Sequence, residues 1–285
     1  MANLILGTVQ FGLNYGVNND KGKPDVETVF KILSAAYQSG VRTLDTAEGY
    51  GNAVDIIGAF HQKNGKLFEV NTKFTCEKGV SLRTKLETAL RKLGVVYIGT
   101  YFYHSYKDFI SNREVGKELQ DLKENKFIRY VGLSVYTNDE LQTAINDPAI
   151  DVIQMPFNLL DNYNQRGILL QLAKSNNKRV QVRSVFLQGL FFKDINDLPA
   201  KLLPLSPYLE KVQSIAGNRS SMEALCLQYA EVQSEIDEII IGIDNEQQLD
   251  NNIDALKYTL SPAAHAEIDL IEVKETALLY PYNWS

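Results

Sequence analysis

The chain has 285 residues, of which 45% are hydrophobic and 22% are charged. These are ordinary values for a folded globular protein, and they exclude an intrinsically disordered chain. The net charge of -6 is spread along the sequence without a basic block, so we expect no nucleic-acid partner.

No apolar run is long enough to span a bilayer, and the first residues carry neither a basic leader nor a cleavage site. We therefore expect a cytoplasmic protein without a membrane partner. The two cysteines, Cys76 and Cys226, lie far apart, and neither has metal-ligand spacing to any of the three histidines. This predicts free thiols and no metal site.

Short apolar runs alternate with amphipathic stretches along the whole chain. The runs predict strands, and they cover residues 4–7, 43–46, 68–73, 98–104, 130–135, 152–157, 179–186 and 238–243. The amphipathic stretches predict helices, and they cover residues 25–40, 81–94, 113–126, 164–177 and 245–258. Eight strands alternating with helices, without a flexible linker, predict an α/β fold of the (β/α)8 or TIM-barrel type, as one domain over residues 1–285.

A doubly wound Rossmann sheet is the alternative fold. It is disfavoured because the glycines of "GTVQFG", which follows the first strand, lack the spacing that cradles a pyrophosphate.

Two segments interrupt the regular alternation of strands and helices. Residues 188–217 are too long for a simple strand-to-helix loop and predict a lid or a pocket wall. Residues 276–285 form an aromatic tail that either packs on the outside of the barrel or caps its pocket.

Four polar residues stand where predicted strands end: Asp45, Tyr50, Lys73 and His104. Because parallel barrel strands open at their carboxyl ends on one face, we expect these side chains to converge. An ammonium group lowers the pKa of a neighbouring phenol, and a carboxylate keeps that ammonium charged. The set therefore predicts Tyr50 as a general acid supported by Lys73 and Asp45, with His104 orienting a carbonyl oxygen.

Each of the four residues also has a purely structural interpretation, such as a buried ion pair or a core histidine, and only their joint placement favours catalysis. A different enzymatic function remains open at this point, because Lys73 could form a Schiff base as in an aldolase.

The segments "DTAEGYG" and "NTKF", together with His104, resemble the Asp, Tyr, Lys and His tetrad of the aldo-keto reductases. The likeness extends along the chain through "IRYVGLSV", "IQMPFN" and "IIIGIDNEQQLDNNI". It implies a (β/α)8 enzyme that binds NADP(H) or NAD(H) without a Rossmann fold and delivers hydride to a small-molecule carbonyl. Tyr50 would then be the acid and His104 the orienting residue. The alternative is a barrel that binds the nicotinamide cofactor as a redox sensor without turnover.

The resemblance also implies a set of cofactor-binding residues. These are Gly7, Thr8, Asp45, Ser134, Gln154, Arg183, Ser184, Phe186, Gln188, Gly189, Gly242, Asp244, Gln248 and Asn252. Ser134 and Gln154 match the positions that hold the nicotinamide carboxamide, and Val135 replaces an asparagine that is common there. Arg183 replaces an aromatic residue that packs against the nicotinamide ring, and residues 184–189 would line the pyrophosphate.

The stretch after strand eight departs from NADP-dependent relatives, which usually hold the 2′-phosphate there with lysine or arginine. This chain has Asp244 and Glu246, and no arginine follows Arg219. These two carboxylates would repel a 2′-phosphate. Asp244 could also accept a hydrogen bond from a free ribose 2′-hydroxyl, or it only caps the next helix. Gln248 and Asn252 match the adenine positions. We expect NADH to compete with or surpass NADPH.

The substrate is the least sharply predicted property. The loop over residues 12–24 is polar, and Val9 stands where several relatives carry a bulky aromatic residue. A roomy, polar pocket favours a sugar or sugar-nucleotide carbonyl, although exposed loops are commonly polar for other reasons. We expect a monomer or a weak homo-oligomer.

Overall fold

Eight parallel strands close into a barrel in the order in which they occur in the sequence. The computed structural model describes residues 3–19, 21–258 and 261–284. The strands are β1 (Asn3–Gly7), β2 (Thr43–Asp45), β3 (Glu69–Phe74), β4 (Ile98–Tyr103), β5 (Ile128–Ser134), β6 (Val152–Pro156), β7 (Arg179–Arg183) and β8 (Glu238–Gly242). The predicted (β/α)8 barrel is confirmed. The seventh strand ends three residues earlier than predicted, where Ser184 turns the chain with a φ of 61°.

Helices connect the strands and pack around the barrel. They are α1 (Val9–Gly12), α2 (Val26–Gln38), α3 (Ala53–Asn64), α4 (Leu82–Leu93), α5 (Tyr106–Ser111), α6 (Gly116–Glu124), α7 (Asn138–Asn146), α8 (Tyr163–Ser175), α9 (Ser206–Ala216), α10 (Arg219–Glu231), α11 (Glu246–Ala255) and α12 (Pro262–Asp269). The five predicted amphipathic stretches correspond to α2, α4, α6, α8 and α11. None of the helices in the described ranges is long and apolar enough to cross a membrane.

Local sequence sets several of the helix ends. The side chains of Asp25 and Ser81 cap α2 and α4 by accepting hydrogen bonds from backbone N–H groups of the first turn. Gly94 ends α4 with a φ of 68°, a conformation that glycine adopts without strain. Thr137 and Glu140 form a reciprocal capping box at the start of α7.

Large and polar side chains occupy the inside of the barrel. The ring of Phe102 on β4 fills the space beside Gly132 on β5, where a Cβ atom would lie 2.3 Å from a ring atom. At the amino end, Glu238 accepts hydrogen bonds from Arg179 and Gln181. At the opposite end, polar side chains at the carboxyl ends of the strands line a groove, as in other barrels of this type.

The segment predicted as a lid or pocket wall, about 188–217, is a wall only at its start. Of its described residues, Gln188, Gly189 and Phe192 line the groove. The segment continues through short 3-10 turns, Ile195–Asp197 and Ala200–Leu205, into α9. Leucines of this later part are buried against the barrel, so it extends the hydrophobic core.

The described part of the predicted aromatic tail, residues 276–284, packs behind the pocket wall. The rings of Tyr280 and Tyr282 lie 5.5 and 4.6 Å from that of Tyr136, which itself lines the groove. The tail therefore supports the wall from outside. Residues 1, 2, 20, 259, 260 and 285 of the predicted domain lie outside the described ranges, and its treatment as a single domain stays a prediction.

Candidate active site

A buried ion pair joins β2 and β3 at the floor of the groove. Lys73 Nζ donates to Asp45 Oδ2 at 2.5 Å, and both side chains are at most 5% exposed. Gln154 on β6 donates from Nε2 to the other oxygen, Asp45 Oδ1, at 2.8 Å. Burial lowers the pKa of Lys73, and the Asp45 carboxylate opposes that shift. The two charges thus form a compensated unit held from three strands.

Tyr50 and His104 complete the set predicted from the strand ends. Lys73 Nζ lies 5.4 Å from the centre of the Tyr50 ring, and the Tyr50 and His104 rings are 6.1 Å apart at 83°. Gly12 lets the first loop pack on the segment that carries Tyr50, because a Cβ atom there would lie 1.7 Å from the Tyr50 carbonyl oxygen. The structure therefore brings all four predicted residues together at one point.

The protonation of Tyr50 differs from the sequence prediction. Burial, and secondarily the Asp45 carboxylate, raise the pKa of Tyr50, while Arg183 opposes them. The direction is opposite to the predicted net lowering, because burial dominates and the Asp45 carboxylate adds to it. Tyr50 is a protonated phenol at neutral pH. Burial, with the charges of Lys73 and Arg183, lowers the pKa of His104 to about 4. The imidazole of His104 is therefore neutral at neutral pH.

The predicted cofactor-binding residues line one continuous groove across the carboxyl end of the barrel. All fourteen are found there: Gly7, Thr8, Asp45, Ser134, Gln154, Arg183, Ser184, Phe186, Gln188, Gly189, Gly242, Asp244, Gln248 and Asn252. The same groove is lined by Tyr50, Lys73 and His104. The placement is as expected from the sequence, and the role of each residue stays a prediction.

The chemistry of the groove fits an extended nicotinamide dinucleotide. Gln154 Oε1 is buried and has no hydrogen-bond partner in the described structure, and Ser134 is its neighbour across the β5–β6 register. An amide group would satisfy this acceptor. On the other side, Ser184 and residues 187–189 have φ values between 45° and 85°. Such strained backbone is characteristic of ligand-binding loops.

Polar side chains of the first loop tie the two walls of the groove together. Gln188 Nε2 donates to the Tyr15 hydroxyl at 3.0 Å, and Asn19 Nδ2 lies 3.5 Å from Asp244 Oδ1. The close approach that Gly189 permits is to Asn18, since a Cβ atom at Gly189 would lie 2.9 Å from Asn18 Cβ. The loop therefore crosses the groove between β7 and β8.

Asp244 does not cap the helix that follows β8. Asn245 caps α11 by accepting a hydrogen bond from the Gln248 backbone N–H. The Gln248 side chain instead binds Asp244 through the backbone N–H, at 2.7 Å, and through the carboxylate, at 3.4 Å. Burial raises the pKa of Asp244, although Gln248 opposes this. The capping interpretation is wrong, and the carboxylate remains available at the groove.

Several groove residues were not assigned to the site from the sequence. They include Gln10, Tyr136, Phe192, Arg219, Glu223 and Ile240. Gln10 Oε1 is buried without a partner in the described structure, and its amide covers Gly242, where a Cβ atom would lie 2.4 Å from Gln10 Nε2. Tyr136 follows the end of β5 by two residues. Its position after a strand end was the signal that could have identified it.

Comparison with known proteins gives one consistent result. A profile described as the Aldo/keto reductase family matches residues 3–273. The NADH-specific methylglyoxal reductase of Escherichia coli (strain K12) is 26% identical, over 90% of each chain. The L-glyceraldehyde 3-phosphate reductase of that strain is 21% identical, over 86% of this chain and 83% of its own. The holo form of an aldo-keto reductase from Bacillus halodurans superposes with a TM-score of 0.75 at 19% identity, over 95% of this chain and 92% of its own.

Removing one member of the Asp45–Lys73 pair should destabilise the barrel, because the other charge would stay buried without a partner. We expect Asp45→Asn to lower the free energy of unfolding by about 3 kcal/mol, as the breaking of a buried pair does. Lys73→Met should have a similar effect, and the double variant should lose much less than the sum of the two. Urea denaturation of the four proteins measures this. Additive losses would contradict a coupled pair.

The protonation of His104 gives a second prediction. Its pKa of about 4 lies below the ordinary value of 6.5, so His104 contributes stability above pH 6.5 that is lost as the pH falls towards 4. The imidazole resonance of His104, assigned by its absence from a His104→Gln variant, should titrate in NMR spectra with a midpoint well below 6.5. A midpoint at or above that value would contradict the neutral imidazole.

Proposed function

The chain belongs to the aldo/keto reductase family of NAD(P)H-dependent oxidoreductases, and from this premise we propose that it reduces a sugar or sugar-nucleotide carbonyl to an alcohol with Tyr50 as general acid. One observation carries the assignment of the acid. Tyr50 is a protonated phenol beside the neutral His104, over the compensated Asp45–Lys73 pair, at the floor of the groove.

The reaction requires a hydride and a proton. A bound NAD(P)H supplies the hydride that forms the new C–H bond. Tyr50 donates its phenolic proton to the carbonyl oxygen, and the resulting phenolate recovers a proton from water. His104 donates an N–H to the same oxygen and fixes its position beside Tyr50. The charge of Arg183 favours the transient phenolate, since it lowers the pKa of Tyr50.

The cofactor would be held by groups at both ends of the groove. We propose that Gln154 Oε1, buried without a partner in the described structure, accepts a hydrogen bond from the nicotinamide amide, with Ser134 beside it. Residues 184–189 would border the pyrophosphate. Asp244 would accept a hydrogen bond from a free ribose 2′-hydroxyl, and Gln248, which already binds Asp244, would face the adenine.

The geometry of Lys73 does not favour the Schiff-base alternative. Its amine donates to a carboxylate at 2.5 Å and its side chain is 3% exposed. A lysine that attacks a carbonyl must be neutral and must reach the substrate. The ion pair opposes the first condition and the burial opposes the second, so the reductase is the better-supported function.

The proposed substrate class rests on the polar mouth of the groove and on two curated relatives. Tyr136, His104 and Arg183 line the same groove as Tyr50 and add hydrogen-bonding groups to it. The names of the two relatives specify short, oxygen-rich carbonyl compounds, methylglyoxal and L-glyceraldehyde 3-phosphate. Both observations support a polar, oxygen-rich carbonyl substrate.

Tyr50→Phe tests the proposed acid. We expect kcat to fall about 1,000-fold, within the range that general acids contribute, while the dissociation constant of NADH changes little. Oxidation of NADH and NADPH would be followed with keto-sugars, aldoses and simple aldehydes, and cofactor binding by fluorescence. Tyr258→Phe, at a tyrosine that is 62% exposed, is the matched control. Undiminished turnover by Tyr50→Phe would exclude Tyr50 as the acid.

The cofactor preference is tested at Asp244. We expect NADH to bind at least as tightly as NADPH, and Asp244→Arg to shift the ratio of dissociation constants towards NADPH by about tenfold or more, since it replaces repulsion by attraction. Glu246→Arg makes the same charge change at an exposed position in the first turn of α11 and should shift the ratio much less. A wild-type preference for NADPH of about a hundredfold would contradict the assignment.

A further inference from the structure

Among the described residues, Arg183 has no ion-pair partner, and it lines the groove. It ends β7 and is only partly exposed. The carboxylates of the described residues all lie more than 4.0 Å from its guanidinium. The more deeply buried cations Lys73 and Arg166 are by contrast paired with Asp45 and Asp161, at 2.5 and 2.6 Å. A partly buried cation that has no carboxylate partner in the protein is stabilised by a bound anion.

The orientation of Arg183 is fixed, yet most of its donors are unused. Its Cζ lies 4.1 Å from the centre of the Tyr136 ring, which covers one face of the guanidinium. Nη2 donates to the Val135 carbonyl at 3.3 Å. Of the five N–H groups of an arginine side chain, this is the one with a partner in the described structure. The rings of Tyr280 and Tyr282 in the tail pack edge-to-face against the Tyr136 ring.

The charge of Arg183 acts at the reacting end of the groove, whose lining it shares with Tyr50 and His104. The charge of Arg183 lowers the pKa of Tyr50, of His104 and, against the effect of burial, of Tyr15. The other arginine of the groove, Arg219, packs instead on Phe192 with its Cζ 4.9 Å from the ring centre. Arg183 is thus the groove arginine that acts on the groups expected to contact the carbonyl.

We propose, on the basis of the reductase function proposed above, that the substrate carries an oxyanion near its carbonyl and that the free edge of Arg183 binds it. A guanidinium presents two parallel N–H groups that match a carboxylate or a phosphoryl group. A nicotinamide ring would use the face of Arg183 opposite Tyr136, so packing against the cofactor leaves the edge available. Acidic or phosphorylated sugar carbonyls are therefore favoured over neutral sugars.

Matched substrate pairs test the charge alone. Succinic semialdehyde and its methyl ester differ in a carboxylate, and glyceraldehyde 3-phosphate and glyceraldehyde differ in a phosphoryl group. We expect wild-type kcat/KM to be about tenfold or more higher for the anionic member of at least one pair, the range for hydrogen bonds to charged groups. The pair that shows the larger ratio identifies the oxyanion.

Arg183→Met should remove this discrimination. We expect kcat/KM for the anionic substrate to fall about a hundredfold, mainly through KM, and that for its neutral partner to fall about threefold or less. Arg183→Lys keeps the charge without the fork of donors and should recover part of the loss. Arg129→Met removes an exposed arginine that pairs with Glu69 near the amino end of the barrel, and it should preserve the discrimination.

A binding measurement without turnover separates the two proposals. Succinate and inorganic phosphate, as non-reacting probes, should raise the melting temperature of the wild type more than that of Arg183→Met, in at least one case. Equal turnover of both members of each pair by the wild type would overturn the oxyanion site and leave the reductase intact. Equal loss on both members in Arg183→Met, together with weakened NADH binding, would assign Arg183 to the cofactor alone. Selective probe binding without reduction of any carbonyl would support the anion site and overturn the reductase.

Discussion

The ion pair between Asp45 and Lys73 is the constraint on which the groove depends. Both charges are withdrawn from water, and such a pair is tolerated only when its geometry is good and its remaining hydrogen-bonding capacity is satisfied. Asp45 meets this condition through Lys73 on β3 and Gln154 on β6. Three strands must therefore keep their register for the floor of the groove to exist. The closed barrel provides that register.

Because the charges of Asp45 and Lys73 compensate each other, the pair affects the protonation of Tyr50 and His104 beside it. Since the floor carries little net charge, burial decides the protonation of Tyr50 and His104, and both are neutral at physiological pH. The two ends of the groove then differ. Arg183 places an unpaired positive charge at the reacting end, whereas Asp244 places a carboxylate at the end proposed for the adenosine. This difference in charge is the basis for proposing an anionic substrate at one end and a dinucleotide without a 2′-phosphate at the other.

The sequence predicted what depends on short-range pattern. Apolar runs that end in polar residues predicted all eight strands and the convergence of Asp45, Tyr50, Lys73 and His104. This was possible because a parallel barrel brings the carboxyl ends of its strands together regardless of loop conformation. The direction of the Tyr50 pKa could not be predicted in this way. It depends on how completely the phenol is buried and on how closely Asp45 and Lys73 pair, and both are properties of the packed structure.

Contacts between segments that are distant in the chain could not be predicted from local sequence patterns. These contacts give a different explanation for the polar residues of the first loop. From the sequence, the polar residues of this loop favour a polar substrate. In the structure Tyr15, Asn18 and Asn19 lie against Gln188, Gly189 and Asp244, so that polarity is explained by the joining of the groove walls. The loop therefore carries little information about the substrate. The proposed source of that information is Arg183, whose guanidinium forms no ion pair with the described carboxylates and lines the same groove as Tyr50 and His104.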